Sequence, residues 1–567
     1  MGSDIQRALL WILFGLSAFM LYDRWQVYNG HPSLIGADTE QTAPANTASN
    51  ASVTPPTATG SGVVPQEAAP AVKKADLITV ETDLVKLSID PNGAVIAGSQ
   101  LLKEKQQVPW TDVGLVGMIL GNKPEPAKDV ELFTDKGKKI YVAQTGLIGG
   151  AFPTHKTEFK LVPGPLKLED GKNTLEVKFE GEAGGVKVVK TYTFERNHYG
   201  IKVSHQVFNN TGHEIKPSVY YQLTRDGDKP EGESTMVNAY TGTAVYTEKE
   251  KFQKVSFGDI ADGDRDYQVN ADNGWIGIIQ HYFVSAWVPT QGVNRENYTR
   301  KLADNLYSIG SIAEMNAIAP GANATAEAVL YSGPQDQERL EQIAPGLSLV
   351  VDYGWLTFLA KPIYWLLSFL HSIVGNWGWA IVLLTCIVKA ILYPLSLAGY
   401  RSMAKMKDLA PRMKALKEKY GDDKQRLNMA MMEMYKTEKI NPVGGCLPIL
   451  LQLPVFLALY WVLLASVELR DAPWILWVTD LAAPDPWFIL PVLMIISMVI
   501  QFKLNPTPPD PMQAKMMAFM PFIFGAMFIF FASGLVLYWL VNNILSIVQQ
   551  YAVNKQIERD RLKRQSN

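Results

Sequence analysis

The chain of 567 residues contains only two cysteines, Cys386 and Cys446, which excludes a fold built on several disulfides. It also lacks both glycine-rich nucleotide motifs, GxGxxG and GxxxxGK[ST], and its net charge is only −2. These absences argue against the common nucleotide-binding enzymes and against a protein that coats nucleic acid. Charged residues make up 19% of the chain, below the roughly 25% of soluble proteins. The low fraction reflects long apolar runs that are concentrated in particular segments.

The first apolar run, residues 8–22, follows Arg7 and is signal-like. It is either a cleaved signal or an uncleaved anchor, and the lack of a clear A-x-A cleavage site favours a transmembrane anchor within residues 1–24. In both cases the residues that follow are exported. We expect residues 25–75 to be a disordered linker, because they are rich in small and polar residues and cannot bury enough apolar surface to order.

Residues 76–340 predict an all-β domain. Short runs of alternating apolar and polar residues are separated by turn clusters such as Pro91-Asn92-Gly93 and Gly184-Gly185, a pattern typical of antiparallel sheets. At this length we expect one large β-sandwich. The clearest runs are Thr79–Ile89, Thr174–Glu180, Val186–Phe194, Ile201–Phe208 and Trp275–Val288.

From residue 353 the chain is mostly apolar and predicts a helical membrane domain. Five segments within residues 376–555 are long enough to cross a hydrocarbon core of about 30 Å. They are residues 377–394, 446–467, 487–504, 516–533 and 534–553.

Two basic segments set the predicted orientation. The loop 400–440 carries eleven Lys and Arg against six Asp and Glu, and the end of the chain, 554–567, carries five against two. The positive-inside rule places the loop and the tail, 556–567, in the cytoplasm. With an exported β domain, only one span then fits between that domain and the loop, so residues 353–374 should lie along the outer surface as an interfacial amphipathic helix. The prediction is six spans with both termini in the cytoplasm.

Lys389 is the most informative residue of the apolar segments, because an ionisable group inside a span is costly and usually faces a cavity or a partner. It lies near the cytoplasmic end of its span, so the alternative is that it simply extends to the interface. Other polar residues fall in the middle or the cytoplasmic half of four spans. They predict either a hydrated groove open to the cytoplasm or polar contacts between helices. These residues are Thr385, Gln452, Ser497, Gln501, Asn542, Ser546 and Gln549.

The loop 400–440 predicts an antiparallel helical hairpin. Pro411 suits the first turn of a helix, Gly421 a helix end, and Asp422 or Asp423 an N-cap. The methionines of this region form either an adaptable surface for apolar partners or ordinary core. The expected apolar faces are Met413, Leu416 and Tyr420 on one helix, and Leu427, Met431 and Met434 on the other.

A groove closed on one side would attract an acidic or polar peptide segment. A transporter or lipid flippase is one alternative, although we find no convincing inverted repeat. An envelope enzyme acting on carbohydrate through the β domain is another. We expect no cofactor and no metal site.

Several stretches of the membrane half resemble the YidC family of membrane protein insertases. The resemblance covers about residues 353–555. Its motifs are Asn376-Trp377-Gly378, Tyr393-Pro394-Leu395, Ser402-Met403-Ala404-Lys405-Met406, Gly421-Asp422-Asp423-Lys424-Gln425-Arg426, Asn441-Pro442-Val443-Gly444-Gly445-Cys446, Pro454-Val455-Phe456-Leu457-Ala458-Leu459-Tyr460, Asp510-Pro511-Met512-Gln513 and Ser533-Gly534-Leu535-Val536-Leu537-Tyr538. The β domain fits the periplasmic supersandwich of the Gram-negative branch.

The resemblance implies an α+β membrane protein that inserts and folds newly made inner-membrane proteins, alone or with the Sec translocon and its accessory subunits. It implies no covalent chemistry and no direct nucleic-acid recognition, with residues 25–375 largely periplasmic. Lys389 aligns with the family's basic groove residue, which is commonly Arg. Contact with the ribosome should be weak or transient, because the tail is short. Positions at which family members contact substrate correspond to Thr385, Phe456, Met494, Tyr538 and Trp539.

Overall fold

The computed structural model describes most of the chain from residue 76 onward. The predicted N-terminal anchor and nearly all of the linker lie outside the described residues. The described residues are 64, 76–108, 112–122, 126–137, 139–230, 239–421, 423–438, 447–504 and 511–566.

Nineteen strands form within the described part of the predicted β domain. They are β1 (Ile78–Glu81), β2 (Val85–Asp90), β3 (Val95–Lys105), β4 (Asp129–Glu131), β5 (Thr134–Lys136), β6 (Lys139–Ile148), β7 (Lys160–Leu161), β8 (Thr174–Ala183), β9 (Val186–Glu195), β10 (Gly200–Asn209), β11 (Ser218–Asp226), β12 (Gly242–Thr247), β13 (Lys251–Val255), β14 (Asn270–Ala271), β15 (Trp275–Gln280), β16 (Phe283–Pro289), β17 (Arg295–Ala303), β18 (Leu306–Glu314) and β19 (Asn323–Pro334).

These strands make two antiparallel sheets, as the alternation of apolar and polar residues predicts. One sheet has ten strands, with the path β1-β2-β3-β6-β11-β18-β17-β14 and with β4 and β5 paired to β3 and β6. The other has nine, in the order β13-β12-β15-β16-β19-β10-β9-β8-β7. Strands such as β8 and β9 bury every second residue, so their apolar sides meet in a shared core. The prediction of a large β-sandwich is confirmed.

Two of the predicted runs are hairpins rather than single strands. Residues 79–89 turn after Thr82, whose hydroxyl accepts hydrogen bonds from the amides of Leu84 and Val85. The run 275–288 turns at His281 and Tyr282, and Tyr282 has a left-handed φ of 66°. Both turns contain residues that look like strand formers, so alternation alone did not reveal them.

Val64 is the one described residue of the predicted linker. It is fully buried and packs with Ile148, Tyr220, Tyr298 and Ile312 of the ten-stranded sheet. At this position, therefore, the linker segment contributes to the β domain.

Eleven α-helices occur in the described residues. They are α1 (Gly114–Leu120), α2 (Phe257–Asp262), α3 (Gln337–Ile343), α4 (Thr357–Val374), α5 (Trp377–Ile391), α6 (Tyr393–Tyr420), α7 (Lys424–Thr437), α8 (Leu447–Ala465), α9 (Ile489–Leu504), α10 (Pro511–Phe528) and α11 (Ser533–Ser566).

Helix α11 is central to the helical region and packs against α5, α6, α8 and α9, while α4 packs against α5 and α8. Helix α11 has 34 residues and is about 50 Å long, which is more than a hydrocarbon core requires. The fifth predicted span and the basic tail are therefore one continuous helix.

Length and apolar composition identify one described helix, Gly354–Val374, as able to cross a membrane by itself. Trp377–Ile391 and Tyr393–Ser402 add a second candidate if this pair, bent by 64°, is one broken span. Shorter apolar helices cover Gln452–Ala465, Ile489–Leu504 and Ala514–Phe528.

The helix predicted to lie along the surface, α4, has two apolar faces. Ala360, Ile363 and Leu367 are buried in the helical region, whereas Phe358 and Trp365 are exposed on the other side. This second apolar face is suited to contact with lipid.

Helices α6 and α7 pack against each other in the segment for which a cytoplasmic hairpin is predicted, and that hairpin stays a prediction. Asp423 is its N-cap as expected and accepts hydrogen bonds from the amides of Gln425 and Arg426. The prediction for Pro411 is wrong, because it lies inside the 28 residues of α6 rather than in a first turn. Proline does not end this helix, which continues to Tyr420.

The segment between α8 and α9, residues 466–488, is here called the cap loop. Its Arg470 donates a hydrogen bond to the carbonyl of Lys105, and its guanidinium lies over the rings of Tyr282 and Phe283 in the β domain. His281 contacts the carbonyl of Leu464 at 3.1 Å. One continuous apolar cluster runs from the sandwich into the helices, so the two regions share a packed junction.

Candidate functional site

Lys389 lies in the last turn of α5 and is buried, with 7% of its surface exposed. Its Nζ donates a hydrogen bond of 2.8 Å to Oγ of Ser546 on α11, and Ser546 donates to the carbonyl of Asn542 at 2.7 Å. Among the described residues no carboxylate is close enough to form a salt bridge with Lys389. The ammonium therefore has one neutral partner and remains able to bind an anionic group.

A partly open cavity of about 350 Å³ lies beside this ammonium. Gln549 lines it from α11, and its buried Oε1 has no hydrogen-bond partner among the described residues; the same is true of Oδ1 of Asn542. Buried acceptors without partners are normally satisfied by water or by a ligand. The lining residues are Cys386, Lys389, Ala390, Tyr393, Leu545 and Gln549.

Thr385 lies one turn before Lys389 and is also buried. Its hydroxyl donates to the carbonyl of Ile381 at 2.7 Å, so its hydrogen bond is satisfied within its own helix. Because its hydroxyl hydrogen already has an acceptor, Thr385 adds little to the polar surface that a ligand could bind.

Ser497 belongs to a second polar cluster, which sequence reasoning did not identify as separate. Asn543 donates toward Oγ of Ser497 at 3.3 Å and toward Sδ of Met494 at 3.5 Å, and it joins α11 to α9. Met494 is completely buried here. Gln501 lies half-buried one turn after Ser497. The adjacent pair Asn542-Asn543 was the available signal, because neighbouring helical residues point about 100° apart.

Gln452 and Tyr538 form a third contact, in which the amide of Gln452 donates to the tyrosine hydroxyl. The next residue, Trp539, packs edge-to-face with Phe456, with ring centroids 4.5 Å apart. An aromatic surface thus joins α8 to α11. The predicted site residues therefore do not form one cluster, since the structure separates them into three.

The other end of the helical region is closed by the cap loop. Asn376 caps α5 and donates to the carbonyls of Pro473 and Trp474. A Cβ on Gly378 would lie 2.2 Å from the Trp474 ring, so only glycine allows this approach. Ser533 at the start of α11 donates to the carbonyl of Ala483. One loop thereby holds the ends of two helices.

The cap loop also contains a buried carboxylate. Tyr364 of α4 donates a 2.7 Å hydrogen bond to Oε1 of Glu468, and burial raises the pKa of Glu468 to about 7. Its Oε2 has no partner among the described residues. A carboxylate held in this way favours the protonated form.

The predicted apolar faces of the hairpin partly meet. Met413 is buried, and its sulfur accepts from the hydroxyl of Tyr435 at 3.5 Å. Arg412 pairs with Glu438 at 2.6 Å across the two helices. The other predicted residues, Leu416, Tyr420, Leu427, Met431 and Met434, are all half-buried, whereas Met429 and Met432 are exposed. Some methionines are therefore core and others are available for contact.

Comparison with known proteins covers both regions. The family described as 60Kd inner membrane protein matches residues 369–560, and the YidC periplasmic domain matches residues 77–366. Membrane protein insertase YidC of Bordetella pertussis is 50% identical over 98% of each chain, and that of Dechloromonas aromatica is 49% identical over 98% of each. A solved structure, an active YidC insertase with its first transmembrane domain resolved, covers 84% of this chain and 92% of its own, at 18% identity and a TM-score of 0.39.

Because sequence identity of about 50% extends over 98% of the chain, the similarity includes both the β domain and the helical region. The relatives are named as insertases and not as enzymes. The match to a periplasmic domain assigns the β-sandwich to the periplasmic side of the inner membrane. The chain therefore belongs to the YidC family, and it is an inner-membrane insertase of membrane proteins.

Proposed function

We propose that insertion proceeds through a groove at Lys389 that opens to the cytoplasm. The observation that carries the proposal is a buried ammonium whose hydrogen-bond partner among the described residues is the Ser546 hydroxyl, beside a cavity lined by Lys389 and Gln549. A hydrophilic or acidic segment of a nascent membrane protein enters this cavity. Because an unsatisfied backbone group in hydrocarbon costs several kcal/mol, polar partners and water in the groove lower the barrier to translocation.

The apolar segment of the substrate then moves into lipid along α8 and α10. Phe456 and Trp539 offer an aromatic contact there, with Tyr538 and Gln452 beside them. Burial of apolar surface in the bilayer drives this step, so no nucleotide is consumed and no covalent bond changes. Met494 enters such a path only if α9 and α11 separate, because it is fully buried between them.

The proposed topology has six spans with both termini in the cytoplasm. In it α4 lies in the outer interface, with its buried face on α5 and α8 and its exposed aromatic face in lipid. The bend of 64° after Ile391 turns the chain from a span into the hairpin of α6 and α7. The basic residues of the hairpin and the tail favour the cytoplasmic side.

The hairpin and the C-terminal helix are the proposed meeting points with the ribosome and with the Sec translocon and its accessory subunits. Exposed Met429 and Met432 give α7 an adaptable apolar surface for a nascent chain. The end of the chain, residues 554–567, has only five basic residues, so electrostatic attachment to ribosomal RNA is weak and sensitive to salt.

Crosslinking of a stalled nascent chain tests the groove. A photoreactive residue at Gln549 should react with the hydrophilic segment of the substrate, whereas the same residue at Val548, which is exposed on the neighbouring face of α11, should react mainly with lipid. Equal substrate crosslinking at both positions would contradict a groove at Lys389.

Deleting residues 76–335 tests whether insertion depends on the β domain. Insertion should survive the deletion if the helical region carries the function. Loss of insertion by an otherwise folded helical region would contradict this division of labour.

A further inference from the structure

The connection between β3 and β4 contains an uncharged segment, residues 113–121, that the proposed insertion path does not use. Its sequence is VGLVGMILG, and it forms the short helix α1. Among the residues of this helix, only Gly117 is buried. The segment is therefore an apolar projection from a domain that is otherwise rich in charged and polar side chains.

Three consecutive side chains at the end of α1, Met118, Ile119 and Leu120, are here called the apolar tip. They are 64%, 73% and 59% exposed. Isolated apolar residues on a protein surface are common, but adjacent ones without cover usually mark a contact surface. The apolar tip therefore needs an apolar partner.

The position of the tip is fixed by backbone contacts. The amide of Leu115 donates to the carbonyl of Pro486 in the cap loop at 2.8 Å. Gly114 has a φ of 63°, and a Cβ there would lie 2.0 Å from the Pro486 oxygen. A side-chain contact closes the segment, in which Nδ2 of Asn122 donates to Oδ1 of Asp112 at 3.0 Å. The projection is thus held against the cap loop at a site where only glycine fits.

The point of attachment lies three residues before α9, a proposed span. Trp487 near the end of the cap loop and Ile489 at the start of α9 are partly exposed, and Val492 and Leu493 continue an exposed apolar surface along this helix. Tryptophan with an apolar surface beyond it is typical of the boundary between membrane and water. The apolar tip therefore projects beside the outer end of a lipid-facing helix.

We propose that the apolar tip inserts into the outer leaflet and attaches the β domain to the lipid surface. Continuity with the lipid-facing side of α9 favours lipid as the partner over a soluble protein. A short helix of this kind enters only the headgroup and upper acyl region, about 5–10 Å deep. The inference rests on the proposed topology, in which the cap loop faces the periplasm.

Photocrosslinking in lipid nanodiscs tests the inference. The full-length protein carries a benzophenone amino acid at position 119, in nanodiscs of phosphatidylethanolamine and phosphatidylglycerol, and lipid adducts are counted by mass spectrometry. A matched sample carries the same group at Lys172, whose side chain is 68% exposed elsewhere on the β domain. Lipid adducts should be several-fold more abundant at position 119 than at position 172.

Two variants test whether lipid contact at position 119 depends on the backbone approach to Pro486 and on the apolar side chains beside that position. Gly114→Val cannot maintain the approach to Pro486, and M118S/L120S keeps the backbone but removes the apolar neighbours of position 119. Both should reduce lipid adducts at position 119 to the level at position 172. Adducts to a second protein copy, or equal lipid adducts at positions 119 and 172, would overturn the inference.

Insertion of a substrate protein by the same nanodiscs is measured separately. Absence of lipid adducts at position 119 in the protein with an otherwise unaltered apolar tip, while insertion continues, would defeat only the membrane contact of the apolar tip. Loss of insertion while adducts persist would count only against the groove.

Discussion

Each region of the molecule buries a lysine, but the surroundings of the two lysines differ. Lys190 in the sandwich has no exposed surface, and its Nζ donates to the carbonyls of Gly93 at 2.6 Å and Thr145 at 3.3 Å. Lys389 in the helical region has one hydroxyl partner, Ser546, and an adjacent cavity. Burial of a cation therefore does not identify a functional site by itself, and the adjacent cavity is what distinguishes Lys389 from Lys190.

The largest expected effect comes from reversing the charge of Lys389. Lys389→Glu should reduce insertion of substrates with acidic segments at least about tenfold, because an attraction on the order of 1–4 kcal/mol becomes a repulsion. Lys389→Arg should be tolerated, and Lys389→Ala should be intermediate. The measurements are complementation of a depletion strain and insertion into proteoliposomes.

Equal insertion activity of Lys389→Glu and the unaltered protein would contradict the proposal that Lys389, unlike Lys190, acts on the substrate. Substrates with neutral translocated segments provide the control, because they should respond much less to the charge at position 389.

Replacing Lys190 should affect stability rather than insertion. Lys190→Met leaves buried carbonyls without the ammonium, so the free energy of opening of β9 should fall by about 1–3 kcal/mol. Hydrogen exchange of β9 in the full-length protein measures this change. Lys178→Met on the adjacent strand is the control, since the Lys178 side chain is 47% exposed. A marked loss of insertion by a folded Lys190→Met protein would contradict the comparison.

The stability of the β domain should depend on pH because Lys190 is buried. Burial lowers the pKa of Lys190 from 10.5 to about 7, so the unfolded chain binds more protons than the folded one between these values. The contribution of Lys190 to stability should therefore increase as the pH rises from about 7 to 10.5. Exchange rates of β9 should show this trend in the unaltered protein and lose it in Lys190→Met.

Glu468 at the junction should give the opposite trend. Its pKa is raised by burial from 4.5 to about 7, so the folded state holds a proton that the unfolded state has lost. Its contribution to stability should fall as the pH rises through this window. Glu468→Gln keeps an acceptor for Tyr364 and should raise the melting temperature at pH 8 but not at pH 4. Glu314→Gln is the control, because the Glu314 side chain is 63% exposed and does not contribute to the pKa of Glu468. A stability profile unchanged by Glu468→Gln would contradict the assignment.

The smallest expected effect is at Ser546. Ser546→Ala removes the single hydrogen bond to Lys389, which water in the cavity can replace, so the loss should be about 1 kcal/mol or less. Insertion rates should fall by only a few-fold. Ser372→Ala, which removes an exposed hydroxyl on α4, should have no effect. A complete loss of activity in Ser546→Ala would mean that Ser546, and not open space, maintains the site.

The sequence predicts the β-sandwich well because alternation specifies which residues face its core. Within the β-sandwich, the incorrect predictions concern individual turns. Thr82 and Tyr282 occupy turns inside runs that read as single strands, because side-chain hydrogen bonding and a left-handed φ are not visible in an alternating pattern.

The candidate site was predictable in composition but not in arrangement. Spacing places Ser546 and Gln549 on one face of α11, and they do meet Lys389 and its cavity. Spacing does not give the direction of that face, so Asn543, which joins α11 to Ser497, was missed. The prediction for Pro411 is wrong for a related reason: a proline is tolerated inside α6, which packs against α7 and α11.

The cap loop binds α5 through Asn376, α11 through Ser533 and the β domain through Arg470. On the proposed topology this loop lies across the exit that faces the periplasm. The apolar segment of a polypeptide that enters from the cytoplasm then leaves sideways, between helices and into the bilayer. In the same proposal the cap loop separates the groove from the periplasm, so a groove open to the cytoplasm need not connect the two sides of the membrane.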